Sequence, residues 1–209
     1  MLRAVRRACR QRLELRRDAD HLHRQRQLGA ASLLAIAFLL VLAPLARALA
    51  DGYRAKAVLA SKFGNVRTPD GKPGANGRPE YVVEACERSL KRLGIACLDL
   101  YLLHWEGSHP LEDTLAAFQE LKAAGKIRHY GVSNFDTRAM ANIEKLPGGA
   151  QVSSNQVMYS LGRRGIERNL LPWCREHKVS IMAYSPLDQG DLKVQTALKA
   201  IAKRHGVAP

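Results

Sequence analysis

Short apolar runs and amphipathic stretches alternate strictly in this sequence from residue 51 to the carboxyl terminus. The predicted strands cover residues 56–63, 98–105, 127–133, 152–156 and 180–184. The predicted helices cover residues 79–93, 111–124, 136–146, 165–177 and 193–204. Because parallel strands need a long crossover, usually a helix, this order predicts right-handed βαβ units and a parallel sheet. We therefore expect an α/β fold, formed either as an open doubly wound sheet or as a barrel.

The run from Leu98 to Trp105, LDLYLLHW, is almost unbroken in its apolar character and ends in an ionisable side chain. An apolar run of this length, preceded by a turn signal at Gly94, is typical of a strand buried on both faces of a parallel sheet. His104 then falls at the carboxyl end of the strand, where parallel α/β proteins bind their ligands. This run alone favours a structural histidine at the rim of the core over a functional one.

Polar residues lie at the carboxyl end of all five predicted strands. They are Lys62, His104, Ser133 with Asn134, Gln156, and Tyr184 with Ser185. A doubly wound sheet concentrates its site at one switch point, whereas a barrel collects residues from successive strand ends around one mouth. The pattern therefore favours a barrel. The sequence contains neither GxGxxG, the dinucleotide-binding fingerprint of the Rossmann fold, nor GxxxxGK followed by Ser or Thr, the phosphate loop of the P-loop NTPases.

The positive charge of the chain is unevenly distributed. The 209 residues carry a formal net charge of +14 at pH 7, and residues 1–27 hold nine arginines and three acidic residues, a net +6, which leaves +8 for the rest. A moderate positive charge suits a phosphate-bearing ligand, although a solvated basic surface gives the same value. We expect no nucleic-acid partner.

The four cysteines, at positions 9, 86, 97 and 174, form no CxxC pair and no spacing with histidine that resembles a metal site. We therefore expect no bound metal, and we interpret the last three cysteines as reduced, mostly buried thiols. Reduced thiols are typical of a reducing compartment, so residues 51–209 are expected in the cytoplasm.

Residues 1–50 differ in composition from the rest of the chain. An arginine-rich stretch at residues 1–27 precedes an uncharged apolar segment at residues 28–46, which is just long enough to span a bilayer. Residues 48–50, Ala-Leu-Ala, also fit the pattern of a signal peptidase site. Three interpretations remain open: a signal peptide, a membrane anchor, or a segment foreign to the protein that arises from a frame-shifted or mis-joined translation. We place the domain boundary between residues 50 and 51.

Five sequence blocks, taken together, resemble one known family. They are ASKFGNV, SLKRLGIACLDLYLLHW, AFQELKAAGKIRHYGVSNF, SNQVMYSL and MAYSPL. In this order and spacing they resemble the aldo-keto reductases, barrel enzymes that use NAD(P)H to reduce carbonyl groups. The match extends from about residue 48 to residue 209. It implies a partial (β/α)8 TIM barrel with about five parallel strands, NADPH as the cofactor, and small aldehydes or ketones as substrates.

The resemblance also implies a role for each polar strand end. Lys62 matches the lysine that lowers the pKa of the family's catalytic tyrosine, and His104 matches the histidine that orients the carbonyl group. The implied cofactor-binding residues are Ser133, Asn134 and Gln156 for the nicotinamide carboxamide, Tyr184 for stacking on the nicotinamide ring, and Ser185 and Leu187 for the loop that holds the pyrophosphate.

Two parts of the family pattern are missing from this sequence. The family's catalytic tyrosine and aspartate precede the lysine strand, but residues 1–50 contain no tyrosine, and the sequence ends after KRHGVAP, before the eighth strand and the segment that binds the adenosine phosphate. We therefore expect an incomplete barrel with unpaired strand edges and little or no reductase activity. The alternative is a non-catalytic, membrane-associated protein that keeps part of the barrel as a binding surface and contacts the membrane through residues 28–46.

Overall fold

The structure, a computed structural model, describes residues 52–68, 70–190 and 196–207. Its strands are β1 (Ala60–Phe63), β2 (Asn65–Arg67), β3 (Pro73–Ala75), β4 (Leu98–Leu103), β5 (Ile127–Ser133), β6 (Ser154–Met158) and β7 (Ser180–Tyr184). Its α-helices are α1 (Pro79–Leu93), α2 (Leu111–Ala123), α3 (Thr137–Glu144), α4 (Leu170–Glu176) and α5 (Thr196–His205). The arginine-rich and apolar segments predicted at residues 1–27 and 28–46 lie outside the described residues.

Five of the strands form one parallel sheet in the order β1-β4-β5-β6-β7. The spatial order follows the chain order, and an α-helix lies between each strand of this sheet and the next. A doubly wound sheet reverses its direction at a switch point, whereas a (β/α)8 barrel keeps one direction throughout. The prediction of an α/β fold with about five parallel strands of a partial barrel is therefore confirmed. Within the described residues, β1 and β7 are the edges of this sheet.

Local sequence signals set several of the helix ends. Helix α1 starts at Pro79, where the missing N–H is not needed, and it stops at Gly94, whose φ of 66° is a left-handed conformation that glycine adopts without strain. Helix α3 is capped by Asp136, whose side chain accepts the backbone N–H of Ala139 over 2.8 Å. The sequence predicted that these helices start at residues 79 and 136, which is the observed start of α1 and one residue before that of α3.

The first predicted strand was extended too far toward the amino terminus. It was expected from residue 56, but residues Tyr53–Lys56 form a short 3-10 helix and β1 begins only at Ala60. The backbone N–H of Leu59 donates to the buried carboxylate of Asp99 over 2.8 Å, and Arg54 and Arg128 pair with the same carboxylate over 2.9 and 2.8 Å. This ion cluster lies at the amino ends of β1 and β4. Its carboxylate accepts the Leu59 N–H, which a longer β1 would have donated within the sheet.

Other element boundaries also differ from the prediction. The glycine- and proline-rich residues 64–78 were assigned to neither a strand nor a helix, but they contain an antiparallel hairpin of β2 and β3. The helix predicted at 165–177 is divided into a 3-10 helix, Gly165–Glu167, and α4. Pro172 explains the break, because a proline ring clashes with the carbonyl four residues earlier and therefore fits only in the first turn of a helix. The strand predicted at 152–156 begins two residues later, at Ser154.

Aromatic rings pack between the sheet and α2. The ring of Phe118 on α2 stacks on Tyr130 of β5 with their centroids 4.9 Å apart. It also meets Phe63 of β1 and Tyr101 of β4 edge-on, at 5.5 and 6.0 Å. All four side chains are buried, and burial of aromatic surface is the largest contribution a side chain makes to a core. This aromatic cluster fixes three strands against one helix and so positions their carboxyl ends.

None of the helices within residues 52–68, 70–190 and 196–207 is long and apolar enough to cross a membrane. The apolar segment at residues 28–46 is not among these residues, so membrane contact through it and the domain boundary at residue 50 stay predictions.

Candidate functional site

Two side-chain hydrogen bonds at the carboxyl ends of the strands connect strands that are not neighbours. Lys62 of β1 donates from Nζ to Oε1 of Gln156 on β6 over 2.5 Å, although β4 and β5 lie between these strands. Tyr184 of β7 donates its hydroxyl to Oδ1 of Asn134, directly after β5, over 2.9 Å. In a flat sheet, strands three positions apart are separated by about 14 Å. The sheet therefore curls, and it brings successive strand ends around one mouth as a barrel wall does.

Asn134 is the centre of this arrangement. Its Nδ2 donates to the carbonyl oxygen of His104 and to the hydroxyl of Ser133, both over 3.1 Å. The Ser133 hydroxyl donates to the backbone carbonyl of Gln156 over 2.8 Å, and the Asn134 N–H donates to the same carbonyl over 2.9 Å. The φ of Asn134 is 64°, a left-handed conformation that asparagine tolerates better than most residues. Asn134 thus holds the ends of β4, β5 and β7 together.

We call Lys62, His104, Ser133, Asn134, Gln156 and Tyr184 the strand-end cluster. The structure brings together these six of the eight predicted site residues. The other two, Ser185 and Leu187, follow β7 directly, but no side-chain hydrogen bond joins them to the cluster within the described residues, and Leu187 is 69% exposed. What each residue binds stays a prediction.

Lys62 and His104 share a partly buried environment. Burial lowers the pKa of the Lys62 amine, and burial together with the positive charge of Lys62 lowers the pKa of the His104 imidazole. His104 follows β4, and its backbone N–H donates to the carbonyl of Phe63, the residue after Lys62, over 2.9 Å. Its ring stacks on the half-exposed ring of Trp105, with the planes 7° apart. At pH 7 the imidazole is therefore neutral, and it can donate or accept one hydrogen bond at each nitrogen.

The loops after β6 and β7 are connected by an ion pair that the sequence did not predict. Arg163 donates from Nε to Oδ1 of Asp188 over 2.9 Å. Three non-glycine residues in the loop after β7, Ser185, Asp188 and Gln189, have positive φ values, from 48° to 57°. Because the partners are 25 residues apart and neither has a distinctive neighbour in sequence, only the fold reveals the contact.

The chain's six tyrosines do not supply a hydroxyl to Lys62 or His104. They are at positions 53, 81, 101, 130, 159 and 184, all within the described residues. The hydroxyls of three of them donate to groups outside the cluster: Tyr101 to Val82, Tyr130 to Gly148, and Tyr159 to Glu167. Tyr81 lies on α1 with the Arg88 guanidinium over its ring, and the Tyr184 hydroxyl donates to Asn134. Residues 52–68, 70–190 and 196–207 also contain no group of three or more His, Cys, Asp or Glu side chains that could hold a metal ion.

The coupling between Lys62 and His104 can be measured by replacing Lys62. We expect the pKa of His104 to lie below the ordinary value of about 6.5 and to rise in Lys62→Met, because the substitution removes a nearby positive charge. The measurement is an NMR titration of the imidazole Cε1–H resonance. Lys122→Met, which changes an exposed lysine on α2, is the control and should leave the midpoint unchanged.

The lowered pKa of His104 also makes the stability of the folded chain depend on pH. Because the folded state depresses the His104 pKa, the unfolded chain binds the proton more readily. The contribution of His104 to stability is therefore complete above the unfolded pKa of about 6.5 and is lost as pH falls through the folded pKa.

An identical His104 midpoint in the wild-type chain and in Lys62→Met would show that the two groups do not interact.

Comparison with known proteins gives a consistent result. Residues 40–207 match the Aldo/keto reductase family. The chain is 47% identical over 138 residues to methylglyoxal reductase YeaE of Escherichia coli strain K12, a match that covers 64% of this chain and 49% of that protein. An aldo/keto reductase from Klebsiella pneumoniae, solved in complex with NADP and acetate, superposes with a TM-score of 0.69 at 40% identity and covers 78% of this chain and 56% of that one.

A third relative is the holo form of aldo-keto reductase AKR11C1 from Bacillus halodurans. It superposes with a TM-score of 0.64 at 32% identity, over 74% of this chain and 51% of that one. The chain thus spans about half the length of the relatives it matches. The family match extends over more than half of the chain and includes every strand and helix described above. The chain belongs to the aldo/keto reductase family.

Proposed function

We propose that the strand-end cluster is the nicotinamide and carbonyl site of an NADPH-dependent oxidoreductase that reduces small aldehydes or ketones to alcohols. The observation that carries this proposal is the hydrogen-bonded link from Lys62 through Gln156, Ser133 and Asn134 to Tyr184. It gathers one amine, two amides and two hydroxyl groups at one mouth. Two structures of aldo-keto reductase from Klebsiella pneumoniae contain NADP or NADPH, which supports the choice of cofactor.

The polar groups of the cluster fit a nicotinamide carboxamide. A carboxamide needs one donor for its oxygen and acceptors for its two N–H groups. The Nε2 of Gln156 has no hydrogen-bond partner among the described residues, so it can donate to the carboxamide oxygen. The oxygens of Asn134 and Ser133 keep lone pairs that can accept the N–H groups. The Tyr184 ring is partly exposed while its hydroxyl is anchored to Asn134, and this suits an aromatic platform for stacking.

Each residue has a task that follows from its chemistry. NADPH, when bound, supplies the hydride for the carbonyl carbon. The neutral His104 ring donates a hydrogen bond to the carbonyl oxygen and so orients the substrate and stabilises charge on that oxygen. The Lys62 ammonium lowers the pKa of a hydroxyl placed beside it. Ser185 and Leu187 begin the loop for the pyrophosphate, and the positive charge of residues 28–209 attracts the phosphate groups of the cofactor.

Proton delivery is the weak step in this chain. A tyrosine hydroxyl next to Lys62 would be the proton donor, but no tyrosine hydroxyl hydrogen-bonds to Lys62 within the described residues. We therefore propose that the 209-residue chain binds cofactor and carbonyl better than it turns them over.

The buried thiols support a reducing environment. Burial raises the pKa of Cys86 to about 12 and that of Cys174 to about 11, so both remain protonated thiols at neutral pH. Inert, buried cysteines are typical of proteins in a reducing compartment. We propose the cytoplasm as the location of residues 51–209.

Replacing Asn134 tests the cofactor site. Asn134→Gly keeps the positive φ at no steric cost and removes only the side chain, so it isolates the hydrogen bonds. The variant loses the proposed acceptor for a carboxamide N–H and no longer anchors the Tyr184 ring, and a lost hydrogen bond to the cofactor that costs about 1–3 kcal/mol raises the Kd for NADPH about 5- to 150-fold. The measurement is a fluorescence titration with NADPH.

Asn169→Gly is a matched control. Asn169 is exposed before α4, and its side chain makes no capping hydrogen bond. The Kd of Asn169→Gly for NADPH should equal that of the wild-type chain. If Asn134→Gly and Asn169→Gly bind NADPH equally well, the cofactor does not depend on the strand-end cluster and the proposed site is wrong.

A further inference from the structure

Lys62 combines partial burial with a neutral hydrogen-bond partner. Its Nζ donates to the amide oxygen of Gln156, and none of the ion pairs within the described residues includes it. A carboxylate partner would hold the proton on the amine, whereas an amide oxygen carries no net charge to do so. Burial acts in the opposite direction and lowers the pKa of the amine. The ammonium form still predominates, but the fraction of free amine, which is the nucleophilic form, is larger at this position than at an exposed lysine.

His104 provides a group for proton transfer near Lys62. Lys62 pairs in register with Leu102 of the neighbouring strand β4, and His104 follows two residues later at the end of that strand. Because side chains alternate along a strand, the positions of Leu102 and His104 share the face of the sheet that carries Lys62, and the charge of Lys62 lowers the pKa of His104. A neutral imidazole beside an amine can accept a proton from it and return that proton to a nearby oxygen. Lys62 and His104 thus form a nucleophile with an adjacent acid and base.

We propose that Lys62 captures small aldehydes directly as an imine, in a reaction that requires no nicotinamide cofactor. The nitrogen lone pair forms a bond to the carbonyl carbon, and the π electrons of the carbonyl move to its oxygen. A proton passes from nitrogen to that oxygen through His104 or water and gives a carbinolamine. A second proton, supplied by the solvent, is then transferred to the hydroxyl group, which leaves as water as the nitrogen lone pair forms the C=N bond, and the protonated imine remains. Addition of water reverses both steps, so nothing is oxidised or reduced.

The capture reaction shares the strand-end mouth with the proposed reductase but does not rest on it. It needs only a free amine, access for a small aldehyde and a proton relay. Lys62 is partly exposed, so access is available in the structure as it stands. Because the reductase requires NADPH and the capture does not, each can fail without the other.

Reductive trapping tests the proposal. The folded chain is incubated with propanal and cyanoborohydride, without NADPH, and the modified lysines are quantified by peptide mass spectrometry. Lys122 is an internal control, because its Nζ also donates to a glutamine oxygen, Oε1 of Gln151, over 3.0 Å, but it is exposed. At pH 7 we expect Lys62 to be trapped at least about three times faster than Lys122, and its rate to level off at a lower pH. Equal rates with coincident pH curves would overturn the proposal.

A charge change at Gln156 gives an independent test. Gln156→Glu places a carboxylate where the amide oxygen now accepts the Lys62 amine, so the ammonium form is stabilised. We expect trapping at Lys62 to fall about tenfold while trapping at Lys122 stays unchanged. Gln151→Glu makes the same change beside the exposed Lys122, where solvent screens the charge, and should have little effect. If Gln156→Glu is trapped as fast as the wild-type chain, the proposal fails, and if that variant does not fold, the pH curves of the wild-type lysines decide.

Discussion

NADPH oxidation by this 209-residue chain in the presence of methylglyoxal is expected to be about 10²- to 10⁴-fold slower than oxidation by the E. coli methylglyoxal reductase under the same conditions. That range is the usual contribution of a positioned general acid. The chain keeps a lysine and a histidine at one mouth, but no tyrosine hydroxyl hydrogen-bonds to either within the described residues. The measurement is the decrease of NADPH absorbance at saturating aldehyde.

Chemical rescue separates a missing proton donor from a damaged site. A small phenol added to the assay is expected to raise the rate in a saturable manner, because a phenol that binds beside Lys62 can donate a proton. Lys62→Met should abolish the rescue, since no ammonium then lowers the pKa of the added phenol. A rate equal to that of the E. coli enzyme without any phenol would show that another group donates the proton.

Replacing Phe118 by alanine is expected to lower the free energy of unfolding by about 3–5 kcal/mol. The Phe118 ring is fully buried and contacts the rings of Phe63, Tyr101 and Tyr130, so its removal leaves a cavity between α2 and three strands. The surrounding rings belong to three strands of one sheet, whose pairing limits how far they can move to fill the space. Urea unfolding followed by circular dichroism measures the loss.

Two control variants show how large the loss of unfolding free energy in Phe118→Ala is relative to milder changes. Phe118→Leu keeps most of the apolar volume and should cost less than half as much as Phe118→Ala. Val58→Ala removes a side chain that is 82% exposed and should change stability by less than about 0.5 kcal/mol. Equal losses in Phe118→Ala and Val58→Ala would mean that the aromatic cluster does not stabilise the sheet.

Elements governed by neighbouring residues were predictable from the sequence. The glycine after α1 and the aspartate before α3 act within one helical turn, and their signals predict the observed helix ends. The strands predicted at residues 127–133 and 180–184 are confirmed at both ends, and β-branched or aromatic residues such as Tyr130, Val132 and Ile181 favour the strand conformation. Alternation of such elements is sufficient to predict a parallel sheet.

Features that depend on distant residues were not predictable. Leu59 lies in an apolar stretch, and only the approach of Asp99, forty residues later, takes its N–H out of the sheet. The hairpin of β2 and β3 lies in a stretch rich in glycine and proline, where local propensity favours a loop.

In the functional site, too, features set by neighbouring residues were predictable and features set by distant residues were not. Parallel topology predicts that the ends of successive strands meet, so the polar strand ends could be selected from sequence. The bond from Lys62 to Gln156, however, depends on how strongly the sheet curls, and that curvature is a property of the whole sheet. The ion pair of Arg163 and Asp188 likewise joins two loops that no local pattern relates.

We propose that the ends of the five parallel strands form one cofactor site. An NMR titration of the ¹⁵N-labelled chain with NADP⁺ tests this proposal most directly. We expect saturable shifts of the backbone amides of His104, Asn134, Gln156 and Ser185, all fitting one Kd. The amides of the Asp99 ion cluster, at the opposite end of the sheet, should remain unchanged. Shifts that are absent at millimolar NADP⁺, or that are confined to surfaces away from the strand ends, would contradict the assignment.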